Sequence, residues 1–164
     1  MATRTPLVIG ANGLIQQLQA GDTLGSIAAA KYNNEVFTNG ESSAALVIGA
    51  PVYDSAAGSV KRAEANAAAT ASVTGLWVDA STSASTSGNC AVGGILTATT
   101  TQWDAVVTGE SGGLTFQSYY FLDPANVGKL TTTVPSTVGQ LLVLVGQAMS
   151  ATDMRLILAA PIQL

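Results

Sequence analysis

The chain contains no histidine, and its only cysteine is Cys90. Without imidazole, general acid–base work falls to Asp, Glu, Lys or Tyr, and a Ser or Thr nucleophile lacks a histidine base. A zinc site of Cys and His is excluded by the same shortage, and a lone cysteine closes no intramolecular disulfide. Cys90 lies between Asn89 and Ala91 with no residue to activate it, the setting of a small buried thiol.

Charge is also scarce. Only 10% of the 164 residues are charged, against about 25% in ordinary soluble domains. Ala, Gly, Ser, Thr and Val take their place, a composition suited to covered or paired sheet surfaces and to assembly. The six basic residues, Arg4, Lys31, Lys61, Arg62, Lys129 and Arg155, are scattered apart from one pair, and the net charge is −4. No basic stripe exists to follow a phosphate backbone, so nucleic acid is not an expected partner. Leu130 to Thr152 carries no charge but contains Pro135, two Gln and many Thr and Ser. It lacks the roughly 20 predominantly apolar residues of a spanning helix, so no membrane partner is expected. The opening "MATRTPLVIGANGL" has too brief an apolar run for a signal peptide. The protein is expected to be made in the cytoplasm and to stay there unless it leaves inside something larger.

The acids Asp22, Glu35, Glu41, Asp54, Glu64, Asp79, Asp104, Glu110, Asp123 and Asp153 are spread along the chain. No spacing singles out a glycosidase pair, and isolated acids beside glycines are typical turn residues. No phosphate-binding loop, dinucleotide fingerprint or calcium loop occurs. The expectation is a protein that is not an enzyme, with no catalytic residue, metal or cofactor.

A chain this long buries roughly 70% of its unfolded surface as one domain. Residues 1–40 read as a partly extended arm, with Gly10, Gly13 and Gly21 around a short alternating segment from Leu14 to Leu18 that is extended with turns and not a packed hairpin. Leu24 to Tyr32 allows one or two helical turns behind Asp22 or Thr23. Residues 41–164 read as a β-domain: short runs such as "ALVIG", "SVTGLWVDA", "CAVGGILTATT", "LTFQSYYFL", "QLLVLVGQAM" and "MRLILAAPI" alternate with turn signals, the pattern of an all-β sandwich or barrel. Ala65 to Ala71 is alanine-rich and favours a short helix. Ser81 to Asn89 reads as a polar loop tip, and Gly93-Gly94 as an interruption of the strand that follows it.

The aromatic residues Trp77, Trp103, Phe116, Tyr119, Tyr120 and Phe121 all read as strand residues. In a strand Tyr119 and Tyr120 point to opposite faces. If one faces the core, the other is exposed, on an edge or inside a subunit contact. Thr131 and Thr133 likewise share one face, with Thr132 on the other, and threonine pairs support neighbouring strands by up to about 1 kcal/mol.

Two stretches resemble a known group. "GLIQQLQAGDTL" at Gly13 to Leu24 is similar to N-terminal segments of tailed-bacteriophage head-fibre and tail-fibre proteins, in which a Gln-Leu-X-X-Gly-Asp-X-Leu element recurs. "GAPVYDSAAGSVKRAEANAAATASVTGLWVDA", a glycine-rich strand with a tryptophan segment, and "YYFLDPANVGKLTTTVPSTVGQLLVLVGQAMSATDMRLIL" follow in the order found in capsid decoration (cement) proteins. The order of the blocks carries more weight than any one of them. The resemblance implies a small β-domain, usually trimeric, on the outer surface of the phage capsid, with the major capsid protein and copies of itself as partners. It implies an arm that drapes over a neighbour and orders on binding, with Leu14, Ile15 and Leu18 as anchors and Arg4 for an acidic capsid patch. Tyr119, Tyr120, Thr131 and Thr133 are then the expected subunit-interface residues. The rival readings are a fibre or host-recognition module that meets glycans through Trp77, Trp103, Tyr119 and the Ser81 to Ser87 loop, a tail-spike enzyme, and a structural subunit of tail or neck.

Overall fold

Glycine, Asx and serine–threonine turns break the chain into short strands. The structure, a computed structural model, describes residues 7–9, 15–17 and 31–164. In chain order these form β1 (Leu7–Ile9), β2 (Ile15–Gln17), β3 (Tyr32–Asn39), β4 (Leu46–Val47), β5 (Pro51–Ala56), β6 (Ser59–Arg62), the one-turn helix α1 (Ala68–Ala71), β7 (Gly75–Trp77) and β8 (Ser81–Thr82). The long β9 (Ser87–Thr97) leads into α2 (Thr100–Val106), β10 (Val107–Thr108), β11 (Tyr119–Leu122), β12 (Leu130–Thr131), β13 (Leu141–Leu142), β14 (Leu144–Ala148), β15 (Asp153–Leu156) and β16 (Ile162–Gln163). The domain is all-β, as the strand and turn pattern predicts.

β9 organises the sheet. It pairs with β3, β3 with β6, β6 with β5, β5 with β7, and β7 returns to β9 at Leu76↔Ala91 and Trp77↔Cys90. These strands close on themselves, the arrangement by which barrels remove most of their edges. From the C-terminal end of β9 the same sheet continues through β15, β14, β11, β12 and β10. Two short pairs, β4 with β8 and β13 with β16, lie beside it.

Burial alternates with period two in β11 and β15, whereas β7 and the Cys90–Ala91 pair of β9 are buried on consecutive residues. Leu46, Val52, Val60, Leu76, Trp77, Cys90 and Ala91 are buried in the first half, and Trp103, Tyr120, Leu122, Leu130, Val145 and Met154 in the second. Both indoles are fully buried with their N–H groups paired: Trp77 Nε1 donates to Thr82 Oγ1 at 3.0 Å, and Trp103 Nε1 to the Thr152 carbonyl at 2.9 Å. An indole of this size carries on the order of 4–6 kcal/mol of transfer free energy.

Several local expectations are corrected. Trp103 lies on α2, not in a strand. The sequence "TTTQ" holds a capping box that outweighs the β-branched composition: Thr99 Oγ1 accepts from the Gln102 N–H at 3.3 Å, and Gln102 Oε1 accepts from the Thr99 N–H at 2.8 Å. Phe116 sits in the turn before β11. The stretch Ser81 to Asn89 is no simple loop tip, because β8 opens it and β9 begins within it. Gly93-Gly94 does not interrupt β9. The strand runs through both, and one extra residue is absorbed where Asn33↔Gly93 is followed by Asn34↔Ala91, a bulge. Gly94 has φ +94 and lies against the Lys31–Tyr32 backbone, an approach a side chain would block.

The N-terminal boundary also moves. Tyr32–Asn39, assigned to the arm from the sequence, is a strand of the main sheet, because its polar run lies flat along β9. Tyr32 therefore ends no helix, and the rest of the helix expected from Leu24 lies outside the described residues. The Leu14 to Leu18 segment, expected to stay unpaired, contains β2, which pairs antiparallel with β1 through Leu7↔Gln17, Val8↔Gln16 and Ile9↔Ile15.

Candidate functional site

The outer face of β11, β14, β15 and the end of β9 is the surface with the most to offer a partner. Cross-strand register fixes its composition. Tyr119 lies opposite Gln147, Gln147 opposite Arg155, and Arg155 opposite Ile95. The alternate rows, Tyr120–Gly146–Leu156 and Ala148–Met154–Leu96, are buried beneath it. Beside the Tyr119 row, Phe121 faces Leu144 across a bulge, and both are half-buried. Ile157 follows β15, tied by its N–H to the Val145 carbonyl at 2.9 Å, and is 42% exposed. Phe116 and Met149, in the turns at one end of these strands, add further exposed apolar surface. The result is a sheet face on which Tyr119, Phe121, Leu144, Ile95 and Ile157 surround the polar pair Gln147 and Arg155. Large aromatic and aliphatic side chains exposed together on one face, with few charges among them, suit an interaction surface.

Hydrogen-bonded groups lie behind the face at Tyr120 and along its border at Asp153. The Tyr120 hydroxyl donates to Glu110 Oε2 at 2.5 Å and accepts from the Thr115 N–H at 2.8 Å. Burial and then the Glu110 hydrogen bond raise the phenol well above its ordinary pKa, so Tyr120 stays neutral. At the β14–β15 turn, Asp153 accepts from Thr97 Oγ1 and from Ser150 Oγ, and Lys31 Nζ lies 3.8 Å away. The Thr97 contact, opposed by partial burial and helped by Ser150 and Lys31, holds the carboxyl below the usual range.

Four further acids are also held in structural hydrogen bonds. Asp123 is buried and accepts from Thr108 Oγ1 at 2.6 Å, from the N–H groups of Ala125 and Asn126 at 2.8 and 3.1 Å, and from Asn126 Nδ2 at 2.9 Å. Burial alone would raise its pKa, but these donors outweigh it and hold the carboxyl below its ordinary value. Asp79 accepts twice from Asn89, Asp104 from the N–H groups of Gly112 and Gly113, and Glu41 from Arg62. Among the described residues, no group of three or more His, Cys, Asp or Glu side chains is placed to hold a metal ion, and no buried side-chain polar atom lacks a partner.

The expected site residues divide. Tyr119, 50% exposed, lies on the outer face, whereas Tyr120 is fully buried and is excluded from any subunit contact. Thr131 is buried too, and its hydroxyl accepts from the Thr133 N–H at 3.1 Å. β12 ends at Thr131, so Thr131 and Thr133 form no threonine ladder. Both line a shallow open depression of about 320 Å³ with Asp123, Pro135 and Gln140, and Thr131 is the cross-strand partner of Phe121. Ile15 opens β2 opposite Ile9, while Arg4, Leu14 and Leu18 lie outside the described residues. The residues not anticipated, Leu144, Ile157, Ile95 and Met149, carried a signal in part: in "MRLIL" the buried Met154 and Leu156 alternate with the exposed Arg155 and Ile157.

No family model, no curated protein sequence and no solved structure matches this chain.

Proposed function

We propose that the protein is a virion structural protein of a tailed bacteriophage: a capsid decoration (cement) protein that binds the outer surface of the head as a homotrimer, stabilises it and catalyses no reaction. The observation that carries the reading is the outer sheet face built on Tyr119, Phe121, Leu144 and Ile157, taken as the contact between copies. The order of the sequence blocks supplies the phage setting. An icosahedral shell has local threefold axes, and a threefold clip matches them. A ligand that binds only the assembled shell adds its binding free energy to shell stability. Such a protein needs area and complementarity, which low charge and many small side chains provide.

The glycan-binding rival loses two of its three aromatic platforms, because Trp77 and Trp103 are fully buried and already spend their N–H groups inside the fold. Electron cryomicroscopy of the virion tests the proposal. The expected result is density for this protein at threefold positions of the outer shell, in numbers of the same order as the capsid subunits. Density confined to tail or neck, or a particle without the protein, overturns it.

A further inference from the structure

We infer that the trimer is closed by strand exchange, in which the β1–β2 ribbon of one copy adds to the outward edge of β3 in the next. The inference rests on the self-association proposed above and names the segment that completes it.

β3 pairs with β9 from Tyr32↔Gly94 to Thr38↔Ser87, but β6 meets its other edge only at Thr38 and Asn39. Among the described residues, no strand covers that edge from Tyr32 to Phe37. The backbone direction is fixed by the flanking bonds. The Asn39 N–H donates to Thr86 on the β9 side, and the Thr38 N–H donates to Gly58 on the β6 side, both at 2.9 Å. Antiparallel alternation then turns the N–H and C=O groups of Val36 and Asn34 toward the open edge. Val36 is 65% exposed there. The strand is eight residues long, has no proline and carries one charge, Glu35. An edge of this kind is a template for another strand.

The complementary element lies in the same chain. β1 and β2 pair only with each other among the described residues, and an isolated two-stranded ribbon is marginal in water. A third strand resolves both deficits. A second copy is the occupant because the Tyr32 end of β3 borders the outer face: Tyr32 lies opposite Gly94, and the neighbouring Ile95 ends the Tyr119–Gln147–Arg155 row. A ribbon donated there extends the subunit contact without a break. A donor-to-acceptor contact of this type is heterologous and closes into a ring when its rotation fits.

Two kinds of variant test it. Val36→Pro removes an outward donor and leaves the β9-directed bonds in place. The expected result is a native-like circular dichroism spectrum with loss of the trimer in sedimentation. Separately, Leu7→Cys, Val8→Cys, Ile15→Cys and Gln16→Cys, which sample both strands and both faces of the ribbon, are each combined with Val36→Cys, oxidised and run on a non-reducing gel. Covalent dimers and trimers are expected, because the buried Cys90 does not compete. Cross-linked monomer alone means that the ribbon caps its own β3, which overturns the inference, as does an intact Val36→Pro trimer without cross-links. Either result leaves self-association through the outer face standing, whereas a monomeric unmodified protein removes that reading itself.

Discussion

Tyr119 and Tyr120 are consecutive residues with opposite fates: Tyr119 stands half exposed opposite Gln147, and Tyr120 is wholly buried with its hydroxyl on Glu110. One residue of β11 belongs to the surface and the next to the core, so substitutions at the two positions separate association from folding. Tyr120→Phe forfeits a hydrogen bond to a charged acceptor and is expected to cost about 1.5–3 kcal/mol in urea unfolding. Tyr119→Ala is expected to leave the fold intact and to weaken association about five- to thirtyfold in sedimentation, a cost of about 1–2 kcal/mol. Equal effects of both variants on association would contradict this division.

The Asp123 carboxylate gives the domain an acid limit. Its folded pKa lies below its ordinary value, because donors from Thr108, Ala125 and Asn126 outweigh burial. The stabilisation is therefore present above the unfolded value near 3.9 and is lost as pH falls through the folded value. Asp153, also lowered, acts in the same direction. Asp123→Asn should destabilise the protein at neutral pH by about 1–3 kcal/mol and flatten the stability profile below about pH 4. Unfolding midpoints at several acidic pH values check both parts.

Cys90 is sealed. Burial, then the nearby Glu35 and Asp54 charges, push its thiol up to about 12. A thiol reagent at mildly alkaline pH is expected to leave the folded protein unlabelled and to modify one equivalent after unfolding. Rapid labelling of the native protein would show that the β7–β9 seam opens.

Gly49 has φ +82, and a Cβ there would meet the Trp103 ring and Val106 at 2.9 Å. Gly49→Ala adds left-handed strain to a collision with the core and should destabilise by about 1–3 kcal/mol. Thermal unfolding checks it, with Gly58→Ala as the comparison: Gly58 has φ +69 but nothing within 4 Å of its Cβ, so only the backbone cost remains.

Much of this architecture is legible in the chain. The runs "QLLVLVGQAM" and "MRLILAAPI" read as strands and contain β14 and all but the first residue of β15, and the alanine-rich stretch Ala65 to Ala71 contains α1. Local signals failed where two of them compete. Thr99 to Val107 is β-branched at both ends and reads as a strand, yet the Thr99–Gln102 capping box makes it a helix. Tyr32–Asn39 is polar and resembles an arm, yet β9 needs a partner along its whole length.

By itself, the sequence determined an all-β domain poor in charge and in imidazole or thiol chemistry, since residue type and period need no knowledge of distant contacts. The tertiary structure decided which member of each alternating pair faces water. Tyr119 rather than Tyr120, and Ile157 rather than Leu156, reach the surface because strand register, set by residues far apart in the chain, chooses the side that meets the core.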